Sequence, residues 1–211
     1  MVSGTFFGGT YSMKKIQTIF ERDWNTKKKL VIDKWVEGCE WVRDGEGYAT
    51  QKFDGTPVLV AANDKIFKRV DMKGKALPDG AFLAQEWPDK ETGYWPAWVP
   101  CDKANPQDKY FFEGYEKEKE LHTVVLEGTY ELIGPKINGN PENWPYHGLV
   151  EHGSVNFGIG PRTFDTIKKY LEEMPVEGLV FYKWDRTKLA KIKRRDYGIE
   201  WPCRPTNKET S

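Results

Sequence analysis

The sequence has little of what identifies several large protein classes. No apolar run approaches the roughly 20 residues that a membrane-spanning helix needs, and the N-terminal segment has no apolar core of the kind found in signal peptides. Its three cysteines and three histidines stand far apart, without a CxxC pair or an HExxH motif. These absences argue against a membrane protein, a disulfide-rich secreted domain and a zinc enzyme, and they favour a cytoplasmic protein with reduced thiols.

An excess of charge of one sign is also absent, because 32 basic residues balance 32 acidic ones. A protein that coats nucleic acid by bulk attraction is strongly basic, so this composition excludes that class but leaves room for a local basic groove. The segment from Arg186 to Arg195 carries six basic residues and no acidic one. Such a run fits a solvated face, and it fits equally well a strand with two lysines on one side.

The familiar phosphate-binding and nucleophile motifs are missing as well. No GxxxxGK[ST] sequence occurs, which excludes a P-loop enzyme. The "GIGPR" segment at residues 158–162 lacks the third glycine of a dinucleotide fingerprint, and no GxSxG motif is present.

Apolar patterning predicts a mixed α+β fold rich in antiparallel strands. Strands are expected at Lys52–Ala62, in "KIFKRV", at Thr123–Gly134, in "EGLVFYKW" and in "KLAKIKRR". Asn63 and Asp64 predict a turn that makes the first two a hairpin, with Arg69 near the start of the first strand. Helical spacing of apolar residues predicts a surface helix over Arg162–Met174, and residues 71–122 are interpreted mainly as loop.

The segment "KFDGT" places a lysine directly before an apolar strand. On an extended backbone Lys52 and Asp54 would point to one face, and Gly55 would allow another group to approach closely. By itself this pattern fits a solvated strand entry followed by a turn.

Five motifs in a fixed order change that interpretation. The chain reads "KFDGT" from Lys52, "FKR" ending at Arg69, "GTYELIG" from Gly128, "EGLVF" from Glu177 and "KIK" from Lys191. Each motif is weak alone, but this order at strand-like positions resembles the polynucleotide ligases and capping enzymes that form a lysyl-nucleotide intermediate. The resemblance covers roughly residues 41–201.

Within that superfamily the chain is most similar to ATP-dependent RNA ligases of the vertebrate-type RNA ligase 1 family and its bacterial and phage relatives. "YELIGPKINGNP" and "KIKRRDYGIEWP" carry this closer likeness. The resemblance implies an α+β nucleotidyltransferase domain over residues 13–211, with antiparallel sheets, flanking helices and no C-terminal OB domain. Residues 1–12 are interpreted as a leader or an artificial extension.

The resemblance also implies a chemistry in which Lys52 is the nucleophile. A lysine must be neutral to attack an α-phosphate, and at the ordinary lysine pKa of about 10.4 only about one in a thousand is neutral at physiological pH. Lys191, Lys193 and a metal ion (Mg²⁺ or Mn²⁺) would favour the neutral form, bind the α-phosphate and stabilise charge as pyrophosphate leaves.

Other roles follow from the resemblance in the same way. Glu177 is expected to hold the metal, and Arg69 to contact the ribose or the end phosphate. Arg194 and Arg195 fall just beyond "KIK", where at least one is expected to face RNA phosphate. The remaining residues expected to bind ATP are Gln51, Asp54, Gly55 and Glu131.

Two choices stay open from the sequence. Glu127 and Glu131 would share one face of a regular strand, and the resemblance favours Glu131. The aromatic residue that stacks on adenine is one of four candidates: Trp144, Tyr146, His147 and Phe157.

The predicted function is the ATP-dependent joining of RNA ends or nicked RNA by a monomer, as in RNA repair. The alternatives are a minimal DNA ligase that seals nicks and a non-catalytic relative that only binds nucleotide or nucleic acid. The sequence does not distinguish a nick, a broken hairpin and a free single strand as the natural substrate.

Overall fold

The structure is a computed structural model that describes residues 11–74, 76–89 and 92–202. Within these residues the chain is a mixed α and β protein whose strand pairs are antiparallel, apart from one parallel pair. The strands are β1 (Gln17–Thr18), β2 (Phe20–Arg22), β3 (Val31–Trp35), β4 (Tyr48–Lys52), β5 (Thr56–Ala61), β6 (Lys65–Met72), β7 (Phe82–Leu83), β8 (Trp95–Pro100), β9 (Gly128–Ile133), β10 (Gly148–Glu151), β11 (Asn156–Phe157), β12 (Gly178–Tyr182) and β13 (Leu189–Lys193). The α-helices are α1 (Glu40–Arg43), α2 (Lys109–His122) and α3 (Phe164–Glu173).

The chain divides into two compact units. The Lys52 unit comprises Ile16–Asp54, Asn138–Trp144 and the chain from Gly153 onwards, and the Arg69 unit comprises Gly55–Ile137, Pro145–His152 and the chain up to Lys15. The single domain expected over residues 13–211 stays a prediction. The proposed leader lies outside the described residues, except for its last two positions.

The Lys52 unit is built on a five-stranded sheet in the order β1-β13-β12-β4-β11, with β2 and β3 as a separate pair. One face of the large sheet is apolar, and its side chains pack with Ile167 and Leu171 of α3 in a single core. The side chain of Thr163 accepts a hydrogen bond from the backbone N–H of Thr166 at 3.1 Å, which starts α3 where the sequence predicts a helix.

The Arg69 unit is built on a six-stranded sheet in the order β10-β9-β5-β6-β8-β7. The predicted hairpin is confirmed, since β5 and β6 pair in antiparallel fashion around a turn in which Asn63 and Asp64 have φ of 59° and 57°. Asparagine and aspartate tolerate this left-handed conformation better than most residues. Lys68 lies opposite Val58, so Arg69 lies near the start of β5, as predicted.

Two elements of the Arg69 unit correct the sequence interpretation, because residues 71–122 are not mainly loop. Strand β8 runs through "WPAWVP", and α2 covers one side of the sheet through Phe111 and Tyr115. Strand β8 contains two prolines, and it pairs with β6 on one side and with a β7 of only two residues on the other.

Among the described residues, none of the helices has the length and apolar character that crossing a membrane would require. Cys39 and Cys101 are free thiols, while Cys203 lies outside the described residues.

Candidate active site

The Lys52 unit brings most of the predicted site together at the ends of three adjacent strands. Lys52 is the last residue of β4 and lies opposite Gly178 of β12, and Gly178 lies opposite Lys193 of β13. Register partners on neighbouring strands point to the same face of a sheet, so the two lysines share one face. A Cβ at Gly178 would lie 2.2 Å from the carbonyl oxygen of Ile192, so only glycine allows this close approach.

The carboxylate of Glu177 lies at the centre of this cluster. It is 1% exposed, and its Oε2 accepts a hydrogen bond from Lys52 Nζ at 2.5 Å. Its Oε1 lies 3.5 Å from Lys193 Nζ and 3.2 Å from Arg195 Nη2. One buried carboxylate is thus shared by three cationic side chains, an arrangement that keeps its charge compensated.

Lys191 lies two residues before Lys193 on the same face of β13. Burial, followed by the nearby charges of Lys193 and Lys52, lowers the pKa of Lys191 to about 8. Burial also lowers the pKa of Lys193, while Glu177 opposes that shift. The cluster therefore concentrates positive charge that is poorly solvated, which is what a phosphate-binding site requires.

The chain leaves the strand directly after the lysine. Strand β4 ends at Lys52, and residues 53–55 form a bend, so the extended backbone expected through Asp54 is wrong. The Asp54 carboxylate accepts hydrogen bonds from Asn138 Nδ2 at 3.1 Å and from Trp201 Nε1 at 2.9 Å. In this structure Asp54 fixes the bend to two other segments of the Lys52 unit.

Glu142 is a site residue that the sequence did not identify. Its carboxylate accepts the Asp54 backbone N–H at 2.9 Å and the Gln51 side-chain amide at 3.3 Å, so it holds both ends of the lysine-bearing segment. Burial is the main cause that raises the pKa of Glu142 to about 6, with a contribution from the charge of Glu177. The abundance of asparagine in "NGNPEN" was the available signal, since Asn138, Asn140 and Asn143 all adopt positive φ in this tight loop.

Arg194 and Arg195 separate into two environments. The Arg195 side chain is 60% exposed, as expected for one of the pair. Arg194 is buried, however, and its guanidinium donates to the carbonyl oxygens of Leu171, Met174 and Glu200. The expectation that Arg194 contacts RNA is therefore corrected: its side chain ties the turn after β13 to the end of α3.

The predicted residues of the Arg69 unit form their own cluster. Glu131 is 8% exposed, and it accepts the Gly55 backbone N–H at 3.1 Å while its other oxygen contacts His152 Nε2 at 2.9 Å. Strand β9 starts at Gly128, so Glu127 lies before it and contacts Tyr11. The two glutamates therefore do not share one face of a regular strand, as the sequence had suggested. Glu131 is the better candidate on geometry as well as on resemblance.

Arg69 lies on β6 with its Nη2 3.3 Å from the Asp71 carboxylate. Its Nε is buried, and the described part of the chain offers it no hydrogen-bond partner. A buried guanidinium donor without a partner is costly unless a ligand satisfies it.

The four aromatic candidates for the adenine stack occupy different surroundings. Phe157 packs edge-on against Tyr170 at the border of the Lys52 unit's core. The His147 ring lies tilted by 32° against that of Tyr110, and Lys117 lies over Tyr146. Trp144 closes the loop of Glu142, where its backbone N–H and carbonyl bond Asn140. The structure favours none of the four.

Few protein groups of the site could bind a divalent metal. Among the described residues no set of three or more His, Cys, Asp and Glu side chains could hold one. Mg²⁺ commonly binds through one or two carboxylates, several waters and substrate phosphates. The carboxylate of Glu177 beside the lysine cluster fits that mode of binding and does not fit an all-protein cage.

Comparison with known proteins agrees with the motifs. The family model for RNA ligase 1 matches residues 120–210. RNA ligase 1 of Danio rerio is 33% identical over 214 aligned residues, which cover 77% of this chain and 65% of the relative. RNA ligase 1 of Pongo abelii is 30% identical over 145 residues (55% of this chain, 44% of the relative), and that of Rattus norvegicus is 28% identical over 166 residues (63% and 46%). The chain thus spans between 44% and 65% of the length of these relatives.

Proposed function

We propose that this chain joins RNA ends with ATP through a covalent lysyl-AMP at Lys52. The similarities to RNA ligase 1 proteins support its membership of an RNA ligase family. The observation that carries the proposal is the carboxylate of Glu177, shared by Lys52, Lys193 and Arg195 at adjoining strand ends. A structural ion pair needs one cation for one carboxylate. Three cations around one buried carboxylate leave positive charge to bind a polyphosphate.

In the first step Lys52 Nζ attacks the α-phosphorus of ATP. As the P–N bond forms and the bond to pyrophosphate breaks, one proton of the nitrogen passes to the departing pyrophosphate. Before the attack, Lys52 must give up its ammonium proton to solvent. The Lys52–Glu177 pair holds that proton in the ligand-free arrangement, and Lys193 and Arg195 weaken this hold by competing for the same carboxylate. Positive charge on Lys191 and Lys193 favours loss of the proton from Lys52 and stabilises the charge on the α-phosphate.

The bound metal, Mg²⁺ or Mn²⁺, would be held by Glu177 and by phosphate oxygens, and it would neutralise charge on the departing pyrophosphate. Gln51 and Asp54, which Glu142 holds in place, set the direction of the lysine-bearing segment. A fixed nucleophile matters because phosphoryl-type transfer depends mainly on positioning and electrostatics.

The later steps transfer AMP and then release it. The 5′-phosphate of one RNA end attacks the adenylate and frees Lys52, which gives an RNA end activated by a pyrophosphate linkage. The 3′-OH of the other end then attacks this phosphate, forms the phosphodiester and expels AMP. Arg69, whose buried Nε has no hydrogen-bond partner among the described residues, is the proposed contact to the ribose or to the end phosphate. Glu131 is the proposed glutamate of the nucleotide site.

The test is sealing of two nicked duplexes that differ only on the 3′-OH side, one with RNA and one with DNA at that strand. A protein distinguishes them through A-form geometry and the 2′-OH. We expect the RNA-containing nick to be sealed in the presence of ATP and Mg²⁺ and the all-DNA nick to be sealed much more slowly. Equal sealing of both would favour a minimal DNA ligase instead.

A further inference from the structure

The face of the sheet that carries the catalytic lysines continues along the strands to a group of aromatic side chains. Side chains alternate between faces, so Tyr48 of β4 lies on the same face as Lys52. Tyr182 lies opposite Tyr48, just as Gly178 lies opposite Lys52. The separation of four residues corresponds to about 13 Å along the strand.

The other face of these strands is committed to the core. Ala49, Leu179, Phe181, Ala190 and Ile192 alternate with the residues named above, and each is 0% exposed within the core of the Lys52 unit. The lysines and the tyrosines therefore lie on the opposite face of the sheet, which does not form part of this core.

Three rings form a continuous surface at the far end of this face, here called the aromatic end (Tyr48, Tyr182 and Trp184). The rings of Tyr48 and Tyr182 are stacked, with centroids 5.4 Å apart and planes 9° apart. The Trp184 ring lies 5.6 Å from that of Tyr48 at 41°. Trp184 is 70% exposed, so a large aromatic surface faces solvent where the stack ends.

Basic side chains flank the aromatic end. The turn between β12 and β13 reads "KWDRTK", with three basic residues and one acidic residue. The Asp185 carboxylate is engaged by Thr187, and Lys183 pairs with Glu46 at 3.0 Å. Arg186 and Lys188 are exposed in the same turn as Trp184.

We propose that the aromatic end binds unpaired RNA nucleotides next to the end that is being joined, with a nucleobase stacked on Trp184. Exposed rings beside cationic side chains are the combination that proteins use to hold single-stranded nucleic acid, because bases stack on the rings and phosphates pair with the cations. The distance of about 13 Å between Tyr48 and Lys52 along the strand is within reach of a few unpaired nucleotides. The inference rests on the proposed function, since it places this RNA on the same sheet face as the adenylated lysine.

The experiment compares the affinity of the full chain for a short unstructured RNA and for a blunt RNA duplex, both with a 5′-phosphate and without ATP. Trp184→Ala should weaken binding of the single strand about fivefold or more, the loss expected for one base stack. Trp184→Phe should restore most of the affinity. Binding of the duplex should change little, because its bases are already stacked on each other.

Trp24→Ala is the matched control, since Trp24 is a similarly exposed indole (64%) with a lysine, Lys29, over its ring, but it lies in the turn between β2 and β3. An equal loss in Trp24→Ala, an equal loss for the duplex, or an unchanged single-strand affinity in Trp184→Ala would each overturn the proposal. Loss of ATP affinity with unchanged RNA affinity would assign the rings to the nucleotide and also overturn it.

Ultraviolet cross-linking of the parent chain to the same RNA provides a second measurement that needs no substitution. Adducts on Trp184, Tyr182 or Tyr48 support the proposal, and adducts confined to other segments contradict it. Failure of the proposed function would look different: the parent chain would form no lysyl-AMP, while RNA binding and cross-linking could still be scored.

Discussion

At the scale of single residues, Glu142 is a half-buried carboxylate whose protonation is coupled to folding. Its pKa is raised from the ordinary 4.5 to about 6, mainly by burial. A raised pKa in the folded state stabilises the fold below pH 4.5, and this contribution is lost as pH rises through 6. We expect Glu142→Gln, which carries no charge, to gain about 1 kcal/mol of unfolding free energy relative to the parent between pH 4.5 and pH 7, after allowance for solvent screening.

Urea unfolding at these two pH values measures the change, with Glu37→Gln at an exposed position of the same unit as the matched control. A difference between Glu142→Gln and the parent that stays constant with pH would show that Glu142 does not titrate with folding.

Lys191 gives a second prediction at the residue scale. Its pKa of about 8 means that its positive charge is present below pH 8 and is lost above it. If this charge binds the α-phosphate, affinity for a non-reactive ATP analogue should fall as pH rises from 7 to 9, by at most about tenfold per pH unit because one proton is involved. Lys191→Arg keeps its charge and should remove much of that fall. Calorimetric titration over this pH range measures the affinity of both proteins. An identical pH profile for the two would contradict the assignment of Lys191 to the α-phosphate.

At the scale of elements, the turn after β13 contains Arg194, whose side chain has a structural role and does not belong to the lysine site. Arg194 donates to three backbone carbonyls, and removing it leaves buried acceptors unpaired. We expect Arg194→Ala to lower the unfolding free energy by about 2–4 kcal/mol, whereas Arg43→Ala, at an exposed ion pair, should leave it nearly unchanged. Chemical denaturation measures both, and an Arg194→Ala protein as stable as the parent would contradict the anchoring role.

Some elements could be predicted from the sequence because their local patterns agree with their packing. The β5–β6 hairpin has a turn of Asn63 and Asp64, and α3 has regular apolar spacing behind a threonine cap. Helix α2 was not predicted because Gly114 interrupts it and its apolar residues cluster at one end. A Cβ at Gly114 would lie 2.6 Å from the Leu132 side chain, so this glycine serves a contact with β9 that no local pattern reveals.

The sequence predicted part of the candidate site as well. Lys52, Glu177, Lys191 and Lys193 come together because their motifs end on adjacent strands in register. The role of Glu142 depends on a loop far away in sequence, and the burial of Arg194 depends on the end of α3. Long-range contacts of this kind leave no periodic signal in the chain.

At the scale of the whole molecule, the proposed chemistry centres on one unit. The Lys52 unit holds the lysine cluster, Glu177 and the aromatic end, while the Arg69 unit holds Arg69 and Glu131. The proposed chemistry therefore requires that a single lysine of the Lys52 unit becomes modified when the full chain binds ATP.

Intact-mass spectrometry after incubation with ATP and Mg²⁺ tests this requirement most directly, with the modified residue mapped by peptide fragmentation. We expect a gain of one AMP on Lys52 in the parent chain and in Lys65→Arg, an exposed control position on β6. We expect none in Lys52→Arg, whose guanidinium stays protonated. An AMP adduct on Lys52→Arg, or a folded parent chain that gains no AMP at any pH tested, would contradict the proposed chemistry.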